Sequence, residues 1–402
     1  MKQKKYILPL LLILISYGLF SQDHYFKGLA DIHYKNYDSA IENFSAAISA
    51  NPDNIHYYLK RAETYYFAGQ YENAVNDLLI TEKTAPGSGS YLLAKCYSLS
   101  GDQNKAIEWL RKHLGSEYKL PRATVRLDKD LSCLEKTEAW NKLWKKEWYT
   151  EQERRISGIR YQIEKEKYDE AYASLEPLLK INPENPLFLY LRSKIFLLQN
   201  NTGQAASDLN KAIQYDPGNN DYLFERANIL TEQKKYKKAL ADYNTLLRMN
   251  IINPEVYYKR GYVYYMLKDH EKALKDINYY CSFFYKDEKA LALCGKLYFS
   301  TGNYTEAIKN YTTLLELNPS EIDYYIARGD SYLDSDAYSQ AESDYTQALD
   351  LNPNIGIIYI NRGIARLKTG DNRGACYDWN KANRLGHPDA GYYLSKHCRD
   401  KD

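Results

Sequence analysis

The sequence predicts an all-α protein, an α-solenoid of about ten stacked helix-turn-helix units. Three observations support this fold class: alanine recurs every 34 residues, apolar and small residues within each period are spaced by three and four, and glycine and proline return at matching places. A fixed period of this length is typical of a chain built from stacked copies of one small unit. The alanines are Ala171, Ala205, Ala239, Ala273, Ala307, Ala341 and Ala375, with Ala40, Ala74 and Ala106 at similar spacing before them.

The N-terminal residues carry the pattern of a secretory signal. Three lysines within the first five residues precede an apolar run over residues 6–20, which is shorter than the roughly 20 residues of a membrane-spanning helix. Ser21 is small and is followed by polar residues, so we expect cleavage after residue 21 and a mature chain that starts at Gln22. An uncleaved membrane anchor is the alternative. A lipid-modified N-terminus is not expected, because the first cysteine is Cys96.

The charge of the chain argues against nucleic acid as a partner. Loss of the three N-terminal lysines takes the formal net charge from +2 to about −1, with both signs interspersed. A near-neutral chain lacks the basic patch that binds phosphate backbones. Its 402 residues exceed one ordinary core, but a solenoid grows by adding neighbours.

Each period contains two amphipathic helices. The three- and four-residue spacing predicts both, with the break near Gly302 in one unit and at Ser335–Asp336 in the next. A proline near the end of the unit stops the second helix. Glycine or alanine at the eighth place and alanine at the twentieth are expected where the two backbones approach most closely. The unit from Ile322 shows the markers Gly329, Tyr332, Tyr338, Ala341, Tyr345, Ala348 and Pro353.

These residues resemble the tetratricopeptide repeat (TPR), whose pattern is a small residue, an aromatic, a glycine turn, an alanine, an aromatic, an alanine and a proline. The resemblance covers nearly all of the chain after the signal. It implies a right-handed superhelix of an exported bacterial type that binds peptides or extended protein segments. Tyr118 replaces the terminal proline of the third unit, and Ile159 replaces the small residue of the fourth. Ten units are predicted, beginning near Ser21, Ile55, Gly87, Gln152, Pro186, Asn220, Pro254, Glu288, Ile322 and Gly356.

The period breaks once, between the third and fourth units. The expected organisation is a signal peptide (1–21), units one to three (22–114), an irregular helical insert (115–151), units four to ten (152–386) and a C-terminal capping helix (387–402). Within the insert, Trp140, Trp144 and Trp148 lie four residues apart on one helix face. A binding ledge is one interpretation, but a helix that plugs the gap is favoured, because aromatic stripes at helical spacing are usually core.

Six units carry arginine at the seventh place and aspartate sixteen residues later, and the other four units lack both. This co-occurrence predicts an ion pair that ties the first helix of a unit to its second, unless duplication simply carried both residues along. Either interpretation makes the residues structural. The pairs are Arg61 with Asp77, Arg192 with Asp208, Arg226 with Asp242, Arg260 with Asp276, Arg328 with Asp344, and Arg362 with Asp378.

The six cysteines show no metal-binding spacing, and disulfides become possible outside the cytoplasm. Cys376 with Cys398 is the first candidate, because this bond would pin the last helix to the last repeat. Cys281 with Cys294 is the second. Six free, mostly buried thiols are the alternative.

The candidate binding site is the concave groove, which the resemblance places on the first helices of successive units. Tyr258, Tyr262 and Tyr265 share one helix face beside a unit with Lys289 and Lys296. Tyrosine offers a large contact area with a polar tip, which suits peptide recognition; alternatively, 42 tyrosines in the chain place some on any face. The candidate groove residues are Tyr190, Lys194, Phe224, Asn228, Tyr258, Tyr262, Tyr265, Lys289, Lys296 and Phe299, with Asp323 and Asp330 beyond them.

No catalytic, cofactor or metal constellation is recognisable, since the seven histidines are scattered. The expected function is therefore that of a non-enzymatic scaffold in the periplasm, the cell envelope or the medium, which binds other proteins or peptides through its groove. A structural subunit of an envelope assembly that binds through its edges or convex face is the alternative.

Overall fold

A computed structural model describes residues 20–249 and 253–398. Within these residues the regular structure is entirely helical, which confirms the predicted fold class. The residues of the predicted signal peptide lie outside the described part, except for the last two. Among the described residues, no helix is both long enough and apolar enough to cross a membrane.

The chain divides into two compact units. The first runs to Ile229 and the second from Leu230 onward, apart from 248–253, which group with the first. The predicted insert, 115–151, lies inside the first unit. The helices of this unit are α1 (residues 20–33), α2 (Tyr37–Ala50), α3 (Ile55–Phe67), α4 (Tyr71–Thr84), α5 (Ser90–Leu99), α6 (Gln103–Leu114), α7 (Arg122–Arg126), the 3-10 helix η1 (Lys129–Leu134), α8 (Glu138–Lys145), α9 (Glu151–Glu164), α10 (Tyr168–Ile181), α11 (Pro186–Leu198) and α12 (Thr202–Tyr215).

In the second unit, each helix from α15 to α23 contacts the next along the chain. The division falls within α13 (Asn220–Glu232). The remaining helices are α14 (Tyr236–Arg248), α15 (Glu255–Met266), α16 (His270–Cys281), α17 (Glu288–Ser300), α18 (Tyr304–Leu317), α19 (Ile322–Asp334), α20 (Tyr338–Leu351), α21 (Gly356–Thr369), α22 (Asn372–Arg384) and α23 (Ala390–His397).

The turn inside each helix pair ends the first helix with one residue of left-handed backbone. In the second pair, Gly69 has a φ of +74°, its N–H donates to Tyr66 O, and the N–H of Gln70 donates to Tyr65 O. These two bonds form a Schellman cap, which satisfies carbonyls at the helix end. The equivalent positive-φ residues are Lys35, Gly69, Gly101, Glu166, Asn200, Lys234, Lys268, Gly302, Asp336 and Gly370.

The residues at the eighth and twentieth places lie where the two helices of a pair touch. All the periodic alanines are fully buried. A Cβ added at Gly295 would lie 2.7 Å from the ring of Tyr311, the aromatic at the twenty-fourth place. Small residues at these places therefore set the distance between the helices, and a large buried side chain fills the space beside them.

The insert covers the third helix pair. Its helix η1 contacts α5 and α6, and α8 contacts α6. Trp140 is buried, and Trp144 and Trp148 pack against the same hydrophobic cluster, which also contains Leu110 and Leu114. Helix α8 ends at Lys145, so the prediction that Trp148 shares one helix face with Trp140 and Trp144 is wrong, but all three tryptophans belong to a core and do not form an exposed ledge.

Burial of His113 is expected to make the stability of the region under the insert depend on pH. Burial lowers the pKa of His113 to about 4 from 6.5, and its ring Nε2 accepts the N–H of Leu120 at 3.0 Å. Because the unfolded chain binds this proton near pH 6.5 and the folded chain only near pH 4, stability is lost as pH falls through that window. We expect a loss on the order of 2 kcal/mol in the free energy of unfolding. Urea denaturation between pH 7 and 5 measures it. His113→Gln keeps an acceptor and should flatten the profile, whereas an unchanged profile would contradict this cause.

The last helix is tied to the last pair by a disulfide. Cys376 on α22 and Cys398 after α23 are bonded, with their Cα atoms 5.7 Å apart. Tyr393 of α23 stacks on the fully buried Trp379, with ring centroids 5.1 Å apart. Helix α23 therefore covers the apolar side of the terminal pair, as the end of a repeat stack requires.

Candidate functional site

The candidate groove residues of the second unit lie on the first helices of consecutive pairs. These first helices are neighbours, since α15 contacts α17 and α19 contacts α21. Side chains at the second, fifth, ninth and twelfth places of each pair share this side, which we call the first-helix face.

Three tyrosines of α15 lie on the first-helix face with different exposure. Tyr262 is 38% exposed, and Tyr258 and Tyr265 are half-buried. The ring of Tyr258 packs on Tyr280 at 5.4 Å between centroids. Burial raises the pKa of Tyr258 to about 12, and the nearby Asp287 carboxylate adds to the shift. Tyr258 therefore stays protonated at neutral pH.

The next pair adds two cations to this face. Lys289 and Lys296 of α17 are exposed, and neither forms an ion pair with another described residue. Phe299 is half-buried and its ring lies 5.7 Å from that of Tyr304. Asp330 is not available to a ligand in the same way, because it accepts hydrogen bonds from Tyr345 at 2.6 Å and Asn361 at 3.0 Å.

The candidate residues of the first unit form a smaller patch. Tyr190 packs on Tyr222 at 4.9 Å between centroids, and the Nζ of Lys194 lies 4.9 Å from the Tyr190 ring. Phe224 and Asn228 of α13 are both half-buried. The structure therefore distributes the ten candidates over two units, with the exposed tyrosine and lysines in the second.

Bidentate ion pairs join the arginine and the aspartate in at least five of the predicted pairs. In each, arginine Nε and Nη2 donate to the two carboxylate oxygens at 2.6–2.9 Å, and the aspartate is buried. Arg226 donates to Asn210 at 3.0 Å. The bidentate pairs are Arg61–Asp77, Arg192–Asp208, Arg260–Asp276, Arg328–Asp344 and Arg362–Asp378.

Five of the six arginines, all except Arg192, also donate a hydrogen bond to the preceding helix pair, which the sequence reasoning missed. Arg260 Nη1 donates to Asn244 at 2.8 Å, and Arg328 Nη1 donates to Thr312 at 3.1 Å. Arg61, Arg226 and Arg362 make the equivalent bond, and every acceptor lies sixteen residues before its arginine. A polar residue sixteen residues before each of these arginines could have indicated this bond in the sequence. Each of these arginines therefore bridges two consecutive pairs.

The first-helix face of the third pair is occupied by the chain's own insert. Lys95 Nζ lies 2.7 Å from Asp130 and 3.1 Å from Asp128, and Tyr91 donates to Asp128 at 2.5 Å. Tyr66 donates to Asp130. Although burial alone would lower the pKa of Lys95, these hydrogen-bonding partners raise it. This part of the face is therefore closed by internal contacts.

Only one of the two candidate disulfides is formed. The Sγ atoms of Cys281 and Cys294 lie 3.7 Å apart without a bond, and Cys294 Sγ donates to Asn278 at 3.3 Å. Cys96 and Cys133 are also free thiols. Among the described residues, no group of three histidine, cysteine or acidic side chains could hold a metal ion.

Comparison with known families places repeats over much of the chain. A model described as TPR repeat matches residues 227–268 and 295–336. A second, described as tetratricopeptide repeat, matches residues 159–220 and 326–382. No curated protein matches the chain.

Solved structures of similar proteins include several built from the same repeat. A tetratricopeptide repeat protein from Parabacteroides merdae is 25% identical, with a TM-score of 0.42, over 61% of this chain and 98% of that one. The C-terminal part of a TPR repeat-containing protein from Cytophaga hutchinsonii is 15% identical, with a TM-score of 0.51, over 59% of this chain and 98% of that one. The second likeness supports the fold.

Proposed function

Because the chain is a tetratricopeptide repeat protein, we propose that it is an exported, non-catalytic scaffold that binds an extended segment of another protein. The repeats indicate protein partners. The proposed site is the first-helix face of the second unit, centred on Tyr258 and Tyr262, with Lys289 and Lys296 beside them.

The observation that supports this site is the exposed tyrosine and lysine surface on α15 and α17. Tyr262, Lys289 and Lys296 reach solvent. The third pair offers a contrast, since its equivalent face is filled by Asp128 and Asp130 of the insert. An unfilled polar and aromatic face is what an extended ligand requires.

The energetics favour a preformed surface. Helix pairs hold the tyrosines in place before binding, so little ordering cost falls on the scaffold. Tyrosine contributes a large contact area with only two side-chain torsions to restrict. The two lysines add charge complementarity, which selects segments that carry acidic residues and speeds their association.

Export is proposed from two features. The N-terminal residues combine a basic start with a short apolar run, as secretory signals do. The Cys376–Cys398 disulfide is the second feature, because such bonds persist in oxidising compartments and are rare in the cytosol.

Removal of the two central tyrosines tests the groove. We expect Tyr258→Ala with Tyr262→Ala to lower the affinity for a captured partner by roughly a hundredfold, since two central aromatic anchors commonly carry about 2–3 kcal/mol or more. The measurement is an affinity pull-down from an envelope extract, followed by calorimetric titration of the captured protein.

The matched control replaces two exposed tyrosines away from this face. Tyr377→Ala with Tyr392→Ala should leave the affinity unchanged. If the control variant loses the partner and the groove variant keeps it, the protein binds through another surface, and a structural role in an envelope assembly becomes the better explanation.

A further inference from the structure

A cleft of about 880 Å³ opens where the repeat period breaks, between the insert and α9. In a regular stack, the second helix of the preceding pair covers the first helix of the next. Here the insert covers α5 and α6 instead, and most of α9 remains exposed. Gly158 stands at the seventh place, where six other units carry an arginine, and a Cβ added there would meet nothing within 4 Å.

Four arginines line this cleft together with Glu135 and Glu164, and one of the four, Arg154, is paired with Glu147, so a modest excess of positive charge remains in the cleft. Arg122 and Arg126 of α7 and Arg160 of α9 line it, and none of them forms an ion pair with another described residue. The guanidinium groups of Arg122 and Arg126 lie 5.6 and 5.8 Å from the Trp144 ring centroid. The aromatic ring favours this placement of the two cations.

Apolar side chains lie beside these arginines. Leu127 is 80% exposed and Tyr161 is 58% exposed, and both line the cleft. Both side chains therefore offer apolar area to a ligand that enters the cleft.

The two walls are held together before any ligand binds. Lys119 of the insert pairs with Glu153 of α9 at 2.9 Å and donates to Trp148 O at the same distance. Tyr149 donates to Leu120 O at 2.7 Å. The arginines are therefore displayed on a preformed frame, which lowers the ordering cost of binding.

We propose that this cleft binds an acidic segment of a partner protein, with its carboxylates on Arg122, Arg126 and Arg160 and an apolar side chain against Leu127 and Tyr161. Arginine presents several donors in a planar fork that matches a carboxylate. A cleft of this volume holds several residues, and its arginines come from two separate helices, so one small anion would engage only part of it. The site is separate from the proposed groove of the second unit.

The test uses fluorescence anisotropy of the dye-labelled peptide Asp-Glu-Phe-Glu-Asp with the full chain. We expect the triple variant Arg122→Gln, Arg126→Gln, Arg160→Gln to weaken binding by roughly tenfold or more, and higher salt to weaken binding of the wild type. The amide peptide Asn-Gln-Phe-Gln-Asn should bind roughly tenfold more weakly than the acidic one. Leu127→Ser with Tyr161→Ser should also weaken binding of the acidic peptide.

The control variant removes the same charge from exposed sites elsewhere in the first unit. Arg111→Gln, Lys180→Gln, Lys211→Gln should leave the affinity within about twofold, since such distant charges are largely screened. Equal losses in the two triple variants, or equal affinity for the two peptides, would overturn the proposal. Displacement by inorganic phosphate but not by chloride at equal ionic strength would indicate a small-anion site and would also overturn it. Tyr258→Ala with Tyr262→Ala should not change the affinity for the acidic peptide, so the cleft and the groove are tested independently.

Discussion

Replacing Asp276 with alanine is expected to lower the free energy of unfolding of the α15–α16 region by about 3 kcal/mol. Asp276 is almost fully buried and accepts from Arg260 Nε at 2.6 Å and Nη2 at 2.7 Å. Without the carboxylate, a largely buried guanidinium keeps only its bond to Asn244. Urea denaturation followed by circular dichroism gives the total loss, and amide hydrogen exchange in α15 and α16 locates it.

A double-mutant cycle separates the ion pair from simple truncation. Asp276→Ala with Arg260→Leu should recover part of the loss, because an apolar side chain leaves no buried charge without a partner. Asp350→Ala, at an exposed place on α20, is the control and should change the free energy of unfolding by less than about 0.5 kcal/mol. Strict additivity of the Asp276 and Arg260 substitutions would refute the proposed coupling.

Gly363→Leu is expected to cost about 3 kcal/mol or more of folding free energy. A Cβ at this position would lie 2.4 Å from the Nε1 of Trp379, which is fully buried and donates to Ile360 O at 3.3 Å. The room for Trp379 to move is limited, since Tyr393 of α23 stacks on its ring. Leucine must therefore separate α21 from α22. Thermal unfolding measures the effect.

The matched control is the same substitution in the interior of another helix. At Gly158 on α9 an added Cβ would meet no atom within 4 Å, so Gly158→Leu is expected to change mainly the helix propensity and to gain up to about 0.8 kcal/mol. Destabilisation by both substitutions would contradict the close approach as the cause.

Much of the fold was predictable because the same residue types return at the same places in many consecutive repeats. Ala273, Ala307 and Ala341 recur at places where only a small side chain lets two helices touch, and burial of each agrees with that reason. The aspartate partner of Arg260 was also visible, since the pairing returned in register. A packing constraint that applies to every unit produces a periodic pattern of residues in the sequence.

The candidate sites were less visible, because they occur once. The placement of Asp128 and Asp130 on Lys95 depends on where the insert packs, and no repeat of that contact exists to reveal it. The bond from Arg260 to Asn244 was not predicted, because the residue that accepts the equivalent bond is serine, threonine or asparagine in different units. Cys281 and Cys294 lie close together but remain unbonded.

The sequence by itself determined the helix pairs, their number and the small residues at their contacts, because local spacing and backbone approach act within one 34-residue period. Only the tertiary structure decided which faces remain open. The insert packs on the third pair and closes its first-helix face. The same packing leaves α9, with Arg160, exposed next to Arg122 of the insert. Which surface stays exposed depends on which helix pair the insert packs against. The apolar surfaces of both segments determine this packing together, so the sequence of either segment alone does not predict it.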